Sequence, residues 1–353
     1  MSVERRTRLI LTCGVISAIL AALILNACTS SSASPHTGTT ATPSASGSAS
    51  ARPSASPSPA VPANGTAGTY QVGQQEMTFT EPAHNGPTGQ PLPARALPTM
   101  IQYPLARGSA TQPAPGPRPL IVFAPGFMQC VAAYDDLLQT WASAGYVVAA
   151  VTFPQTNCQL GDASADENDL VNQPQDMSYV ISSLLQLSAQ PSGPLSGLVN
   201  RQEIAAAGQS DGGDTVAALV GNTCCTEPLV RAAAVLSGAE LASMPGQYFA
   251  KSTPPILFTQ GNADTVNLPS DSIQLYSGDG TGVRYYLNLL GASHLSPYEV
   301  RTPAEQVVAR VTLAFFNGYV LGQAAGPAAM SQAGNVGGTA ALVSGGHVPR
   351  DAG

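Results

Sequence analysis

Two patterns alternate along the chain from about residue 96 to about residue 320. One is a short apolar run of four to eight residues; the other is a longer stretch in which apolar residues recur every three or four positions. "ALPTMIQYPL" (96–105) and "PLIVFAPG" (119–126) read as strands, the second so uniformly apolar that it is expected to be buried on both faces. "AAYDDLLQTWASAG" (132–145) has helical spacing, with Tyr134, Leu137, Leu138 and Trp141 on one side and Gly145 as a stop. "YVVAAVTF" (146–153) is another buried strand. A helix over about 174–188 follows, carrying Met177, Val180, Ile181, Leu184 and Leu185 at threes and fours.

The alternation continues with the strand "EIAAAG" (203–208), a helix from about Asp211, and the strands "AAAVLSG" (232–238) and "PPILFTQG" (254–261). A short helix near Asp271, the strand "VRYYLNLLG" (283–291) and a helix over about 303–320 complete it. Strands alternating with helices predict an α/β fold: a mostly parallel central sheet with helices on both faces. The spacing is too irregular for a repeat protein.

The ends follow neither pattern. Arg5, Arg6 and Arg8 precede a nearly uncharged run over 9–25, closed by "LNAC" (25–28), so residues 1–28 read as a signal peptide with a lipobox-like end at Cys28. An uncleaved anchor and ordinary secretion are the other readings; a run of roughly 17 residues would span roughly 26 Å as a helix. All three send the remainder out of the cytoplasm, either tethered to a membrane through an N-terminal lipid or anchor, or secreted. Residues 29–68 are Ser, Thr, Ala and Pro with almost no large apolar side chain, and predict a disordered tether. The Gly/Ala-rich tail, 323–353, is expected to be disordered as well, leaving 69–322 as the folded domain.

Charge narrows the partners. The formal net charge is −7 with a single lysine, Lys251, and no basic cluster outside the signal region, so nucleic acid is not an expected partner. Of six cysteines, setting aside Cys13 and Cys28 leaves Cys130, Cys158, Cys224 and Cys225, for which sequence alone allows three pairings. Cys130 and Cys158 each follow a predicted strand by a few residues, which favours a bridge between them. Cys224 and Cys225 would then form an adjacent disulfide or remain thiols. Neither a C-x-x-C pair nor a nearby histidine suggests a metal, and none is expected.

The candidate chemistry centres on "AAAGQSDGGDTVAALV" (205–220), where Ser210 lies between Gly208 and Gly212 at a strand-to-helix junction. G-x-S-x-G is a weak pattern by itself, but this junction is the context in which a sharp turn exposes a serine above a sheet and small residues let the helix cross back over the strand. A serine nucleophile requires a base, a group to orient the base, and donors for the oxyanion. Of four histidines, His36 lies in the tether, His84 precedes the main strands and His347 lies in the tail; His294, just past the last strand, is the expected base. Asp264, just beyond "PPILFTQG", is the expected orienting acid, with Asp211, Asp214, Asp271 and Asp279 read as structural or solvated. The backbone N–H groups of Asp211 and Phe127 are the expected oxyanion donors, and the Phe127 ring is either a wall of the substrate cleft or core packing.

"RALPTMIQYP", "RPLIVFAPGF", "ASAGYVVAAVTFP", "DMSYVISSLL", "AAAGQSDGG", "PPILFTQGNAD" and "GASHLSPY" together resemble the α/β-hydrolase superfamily. The closer likeness is to the branch of platelet-activating-factor acetylhydrolases, chlorophyllases, cutinases and dienelactone-hydrolase-like proteins. That resemblance implies an α/β-hydrolase fold without a large lid domain, and it places nucleophile, acid and base on Ser210, Asp264 and His294. Dienelactone hydrolases proper use cysteine where this chain has Ser210. Polyester hydrolases carry a tryptophan where this chain has "SGAELASM" (237–244), so polyester cleavage is not carried over. The expectation is a serine hydrolase cleaving carboxylic esters, small or lipid-like, without a cofactor. The alternatives are a non-catalytic envelope lipoprotein using the fold for binding, and acyl transfer or peptide cleavage on the same fold.

Overall fold

The computed structural model describes residues 68–280, 282–346 and 348; Cys28, His36, His347 and the signal and tether segments up to 67 lie outside them. In chain order the elements are β1 (Val72–Glu81), β2 (His84–Asn85), β3 (Pro91–Leu92), β4 (Arg95–Pro104), β5 (Arg118–Ala124), α1 (Asp135–Ser143), β6 (Val147–Val151), α2 (Gln173–Ser188), β7 (Val199–Gln209), α3 (Asp211–Gly221) and β8 (Val230–Leu236). They continue with β9 (Ile256–Gly261), α4 (Pro269–Gly278), β10 (Arg284–Leu289), α5 (Pro303–Tyr319), α6 (Gly326–Gly334) and β11 (Ala340–Ser344). Short 3-10 turns, Val131–Tyr134 and Glu167–Asn172, lead into α1 and α2.

Nine strands form one sheet in the order β1-β4-β6-β5-β7-β8-β9-β10-β11, while β2 and β3 make a separate two-residue ladder. The six strands from β6 to β10 are mutually parallel, as expected of apolar strands of which all sequential pairs but β8 and β9 are joined through helices. Antiparallel partners close the edges: β1 and β4 on one side, β11 on the other.

The pleat divides each strand's side chains between two cores. Leu120, Val122, Ala149, Ala206, Val235 and Phe258 face α2, α3 and α4, whereas Ile121, Phe123, Val148, Ala207, Leu236 and Leu257 face α1, α5 and α6. Both faces are thus covered, which explains why the inner strands read as continuous apolar runs. Trp141 on α1 sits at the centre of the second core, its indole N–H donating to Thr312 Oγ on α5 at 3.0 Å. A buried ion cluster fastens the β4 edge: Arg95 donates to both carboxylate oxygens of Asp169 (2.8 and 2.6 Å) and both of Asp176 (2.7 Å each). Burial, with Glu81 nearby, pushes the Asp176 carboxyl up to about 8 against the pull of Arg95.

Two parts of the chain depart from the sequence expectation. Strand β1, rich in Gln and Thr, pairs with β4 over ten residue positions, from Val72 with Pro104 to Glu81 with Arg95. Four of its side chains are half buried, four exposed and two buried, so it shows no apolar run to announce it. The tail over 323–353, expected to be disordered, instead supplies α6 and β11, and the folded region runs on past 322. Close backbone approach accounts for this: a Cβ on Gly326 would stand 2.4 Å from the Gly318 Cα, so α6 lies directly on α5, with Met330 fully buried. Strand β11 then satisfies the open edge of β10, pairing Leu287 with Leu342. Little large apolar surface is needed when packing is this close.

Among the described residues, no helix is long and apolar enough to cross a membrane. From 238 to 254 the chain makes turns and one isolated bridge, Asn222 with Tyr248, and no helix or longer strand.

Candidate active site

Ser210 is the single residue between β7 and α3, and its backbone sits at φ 56° and ψ −125°, a region that non-glycine residues rarely occupy. The turn is held from both sides, because the Ser210 N–H donates to the Leu236 carbonyl (2.9 Å) and the Ser210 carbonyl accepts from the Asp214 N–H (2.9 Å). The flanking glycines have a steric reason. A Cβ on Gly208 would lie 2.1 Å from the Gly212 carbonyl oxygen, and one on Gly212 would lie 2.0 Å from that of Ala124. Strand, turn and helix therefore interlock by backbone contact.

The loop after β10 brings His294 to this turn: its Nε2 lies 2.8 Å from Ser210 Oγ, and its Nδ1 lies 2.7 Å from Asp264 Oδ2. Asp264, on the loop after β9, is fixed in turn. Its Oδ1 accepts from the N–H groups of Val266 (2.8 Å) and Asn267 (3.2 Å), and its Oδ2 also accepts from Gln260 Nε2 (2.9 Å). A neutral imidazole with its Nδ1–H directed at the carboxylate would present an unprotonated Nε2 to the Ser210 hydroxyl. Ser210 and His294 are nearly buried, each retaining 8% of its surface exposed. All three residues sit beyond the C-terminal ends of parallel strands, where open α/β sheets place their ligands.

Phe127, half buried, follows Gly126 in the loop after β5. That loop runs against the serine turn, since a Cβ on Gly126 would be 3.2 Å from Ser210 Cβ. The Gly126 carbonyl accepts from the Gln129 N–H (3.1 Å), and in a trans peptide the Phe127 N–H then points the opposite way. Asp211 begins α3, so its N–H points out of the helix N-terminus.

The other aspartates of the region have structural work. Asp214 Oδ1 accepts from the Ala239 N–H (2.6 Å), Asp271 Oδ2 caps α4 through the Leu268 N–H (3.0 Å), and Asp279 Oδ1 accepts from Thr253 Oγ (2.9 Å). His84 lies on β2, its Nδ1 2.9 Å from the Pro82 carbonyl. Cys130 and Cys158 are joined, tying the loop after β5 to that after β6, and Cys224 is joined to Cys225. Among the described residues, no group of three or more His, Cys, Asp or Glu side chains could hold a metal ion.

Several residues at the site were not foreseen from sequence. Gln209, adjacent to Ser210 and fully buried, donates to the His294 carbonyl (3.2 Å) and accepts from the Tyr134 hydroxyl (2.8 Å). Tyr134 had been legible only as one member of an apolar helix face. Burial holds its hydroxyl well above its ordinary pKa, with Glu299 and Asp211 adding to the effect, so it stays protonated. Burial raises the Glu299 carboxyl too, with the nearby Tyr134 and His294 acting in the opposite direction. A polar residue closing an apolar strand next to Ser210 was the available sequence signal for Gln209; its partners were not legible. Compared with known proteins, the chain matches no protein-family model and no curated protein sequence.

Proposed function

We propose that this chain is a serine hydrolase of the α/β-hydrolase type that cleaves carboxylic esters, with Ser210 as nucleophile, His294 as base and Asp264 as the residue that orients it. The observation that carries the reading is the continuous line of contacts from Ser210 Oγ through His294 to Asp264, at 2.8 and 2.7 Å, on a serine held at positive φ. Ser210 Oγ attacks the ester carbonyl carbon as His294 Nε2 takes its proton, and the imidazolium so formed is stabilised by Asp264. The carbonyl π electrons move onto oxygen, which the Phe127 and Asp211 N–H groups receive. Collapse of this intermediate expels the alcohol, protonated by His294, and leaves an acyl group on Ser210. Water, deprotonated by His294, attacks the acyl carbon; a second collapse releases the acid and returns the proton to Ser210. The Phe127 ring forms a wall of the acyl cleft. The short 238–254 connection leaves the cleft open to small or surface-presented esters.

An exported, membrane-tethered protein is the proposed setting, supported by the signal-like pattern ending at Cys28 and by two disulfides, which persist in oxidising compartments. The test is labelling with a fluorophosphonate probe, together with hydrolysis of p-nitrophenyl esters of graded chain length and of peptide anilides. The expected result is labelling and ester hydrolysis that Ser210→Ala abolishes, with the anilides cleaved far more slowly. Folded protein that takes no label and cleaves no ester would refute the proposal and favour a non-catalytic binding role.

A further inference from the structure

We infer that Tyr134 and Gln209 are positioning residues, a two-residue bridge that holds the oxyanion-donor loop, the nucleophile turn and the histidine loop in register. The inference rests on the serine-hydrolase reading and concerns how that site is kept in order. Three loops from distant parts of the sequence must align to within a fraction of an ångström for the proposed reaction. Two of their contacts, Ser210 with His294 and His294 with Asp264, belong to the reacting groups themselves, so something else must fix the loop after β5.

The Cys130–Cys158 bridge ties the far part of that loop, and the Tyr134 hydroxyl holds the part beside Ser210. It accepts the Gly126 N–H at 3.1 Å and donates to Gln209 Oε1 at 2.8 Å; Gln209 Nε2 in turn donates to the His294 carbonyl at 3.2 Å. Only this orientation of the amide suits the site, because the reverse would set Oε1 against the His294 carbonyl oxygen, two acceptors face to face. Tyr134 and Gln209 are fully buried, and the Tyr134 ring is locked against Phe123 with centroids 4.8 Å apart. The bridge therefore has little freedom to give. Gly126 has no side chain to restrict its torsions, and its anchored N–H and its carbonyl bond to Gln129 set the direction of the next N–H, that of Phe127. An oxyanion donor acts more strongly on the transition state than on the bound ester. Loosening the bridge should accordingly lower kcat with little change in KM.

The experiment uses the full chain. Tyr134→Phe removes one oxygen and keeps the ring, and Gln209→Glu keeps an acceptor for Tyr134 while removing the donor to His294; p-nitrophenyl acetate and butyrate are the substrates. Active sites are counted by fluorophosphonate titration, and folding is monitored by thermal melting. The expected result for each variant is kcat per titrated site about 10- to 100-fold below the parent, with KM within about threefold. A kcat per titrated site within twofold of the parent in both variants, while the parent hydrolyses esters, would overturn the bridge and leave the serine-hydrolase reading intact. Losses that vanish once activity is expressed per folded, titrated site would likewise reduce the bridge to core packing. If Tyr134→Phe does not fold, Gln209→Met, which removes both amide contacts and adds no charge beside His294 Nε2, 3.4 Å away, decides in its place. A parent that takes no label and cleaves no ester would remove the underlying reading, and the bridge with it.

Discussion

Replacing Gly212 with alanine would put a methyl carbon 2.0 Å from the Ala124 carbonyl oxygen, 2.5 Å from its carbonyl carbon and 2.7 Å from the Pro125 oxygen. All three are backbone atoms, so no side chain can swing aside. To restore an ordinary contact, the start of α3 must retreat from the end of β5 by about 1.4 Å. Both are pinned, Ala124 by its pairing with Gly208 and Ser210 by its bond to Leu236. Carried to the serine, a shift of that size would stretch the 2.8 Å contact with His294 beyond hydrogen-bond range. The expected cost is about 1–3 kcal/mol of stability from overpacking and about 100-fold in kcat/KM from misplacement. Gly213→Ala is the internal comparison. Its methyl would meet Gly238 Cα at 3.0 Å and the Leu236 oxygen at 3.1 Å, tight but within reach of small adjustments. It should also recover part of the helix propensity lost to glycine, worth about 1 kcal/mol. Urea unfolding and p-nitrophenyl acetate hydrolysis, measured on both variants, are the assays. A Gly212→Ala variant with the parent's urea midpoint, or one no worse than Gly213→Ala, would refute the claim that backbone interlock sets this turn. The stability arm stands whatever the substrate proves to be.

Two further outcomes follow from features away from the serine. Because the Asp176 carboxyl is raised from 3.8 to about 8 in the folded chain, its stabilising contribution is complete below about pH 4 and is lost as pH climbs through about 8. The unfolding free energy from urea titrations should therefore fall over that window, by at most about 1.4 kcal/mol per pH unit from this group, and Asp176→Asn should flatten the fall; an unchanged slope in that variant would contradict the assignment. The Cys130–Cys158 bridge closes a loop with a sequence separation of 28. Replacing both residues with serine should cost about 3–4 kcal/mol in the chain-entropy account, read as a lower urea midpoint, and an unchanged midpoint would rule out a constraining role.

The architecture was largely legible because its signals are local. A strand buried on both faces must be apolar throughout, as in β5 and β6, and a helix laid on one face of a sheet must repeat its apolar residues every three or four positions, as α2 does. Those two periods, with the glycines around Ser210, were enough to place a mostly parallel sheet and a strained strand-to-helix turn. Elements stabilised by backbone proximity left no such trace. Strand β1 is polar and half exposed and owes its place to pairing with β4, while α6 and β11 follow from the contact of Gly318 with Gly326 and from the open edge of β10.

What the sequence singled out unaided is three candidate side chains, Ser210, Asp264 and His294, each just beyond an apolar run, those of β7, β9 and β10. Only the tertiary structure decided that they touch. The contacts join residues 84 and 30 positions apart, and the bridge from Tyr134 to Gln209 spans 75. Periodicity reports the local conformation of a segment and which side of it is buried. Contact between loops depends on strand order and register, which are set by the packing of the whole sheet and are written in no single stretch of the chain.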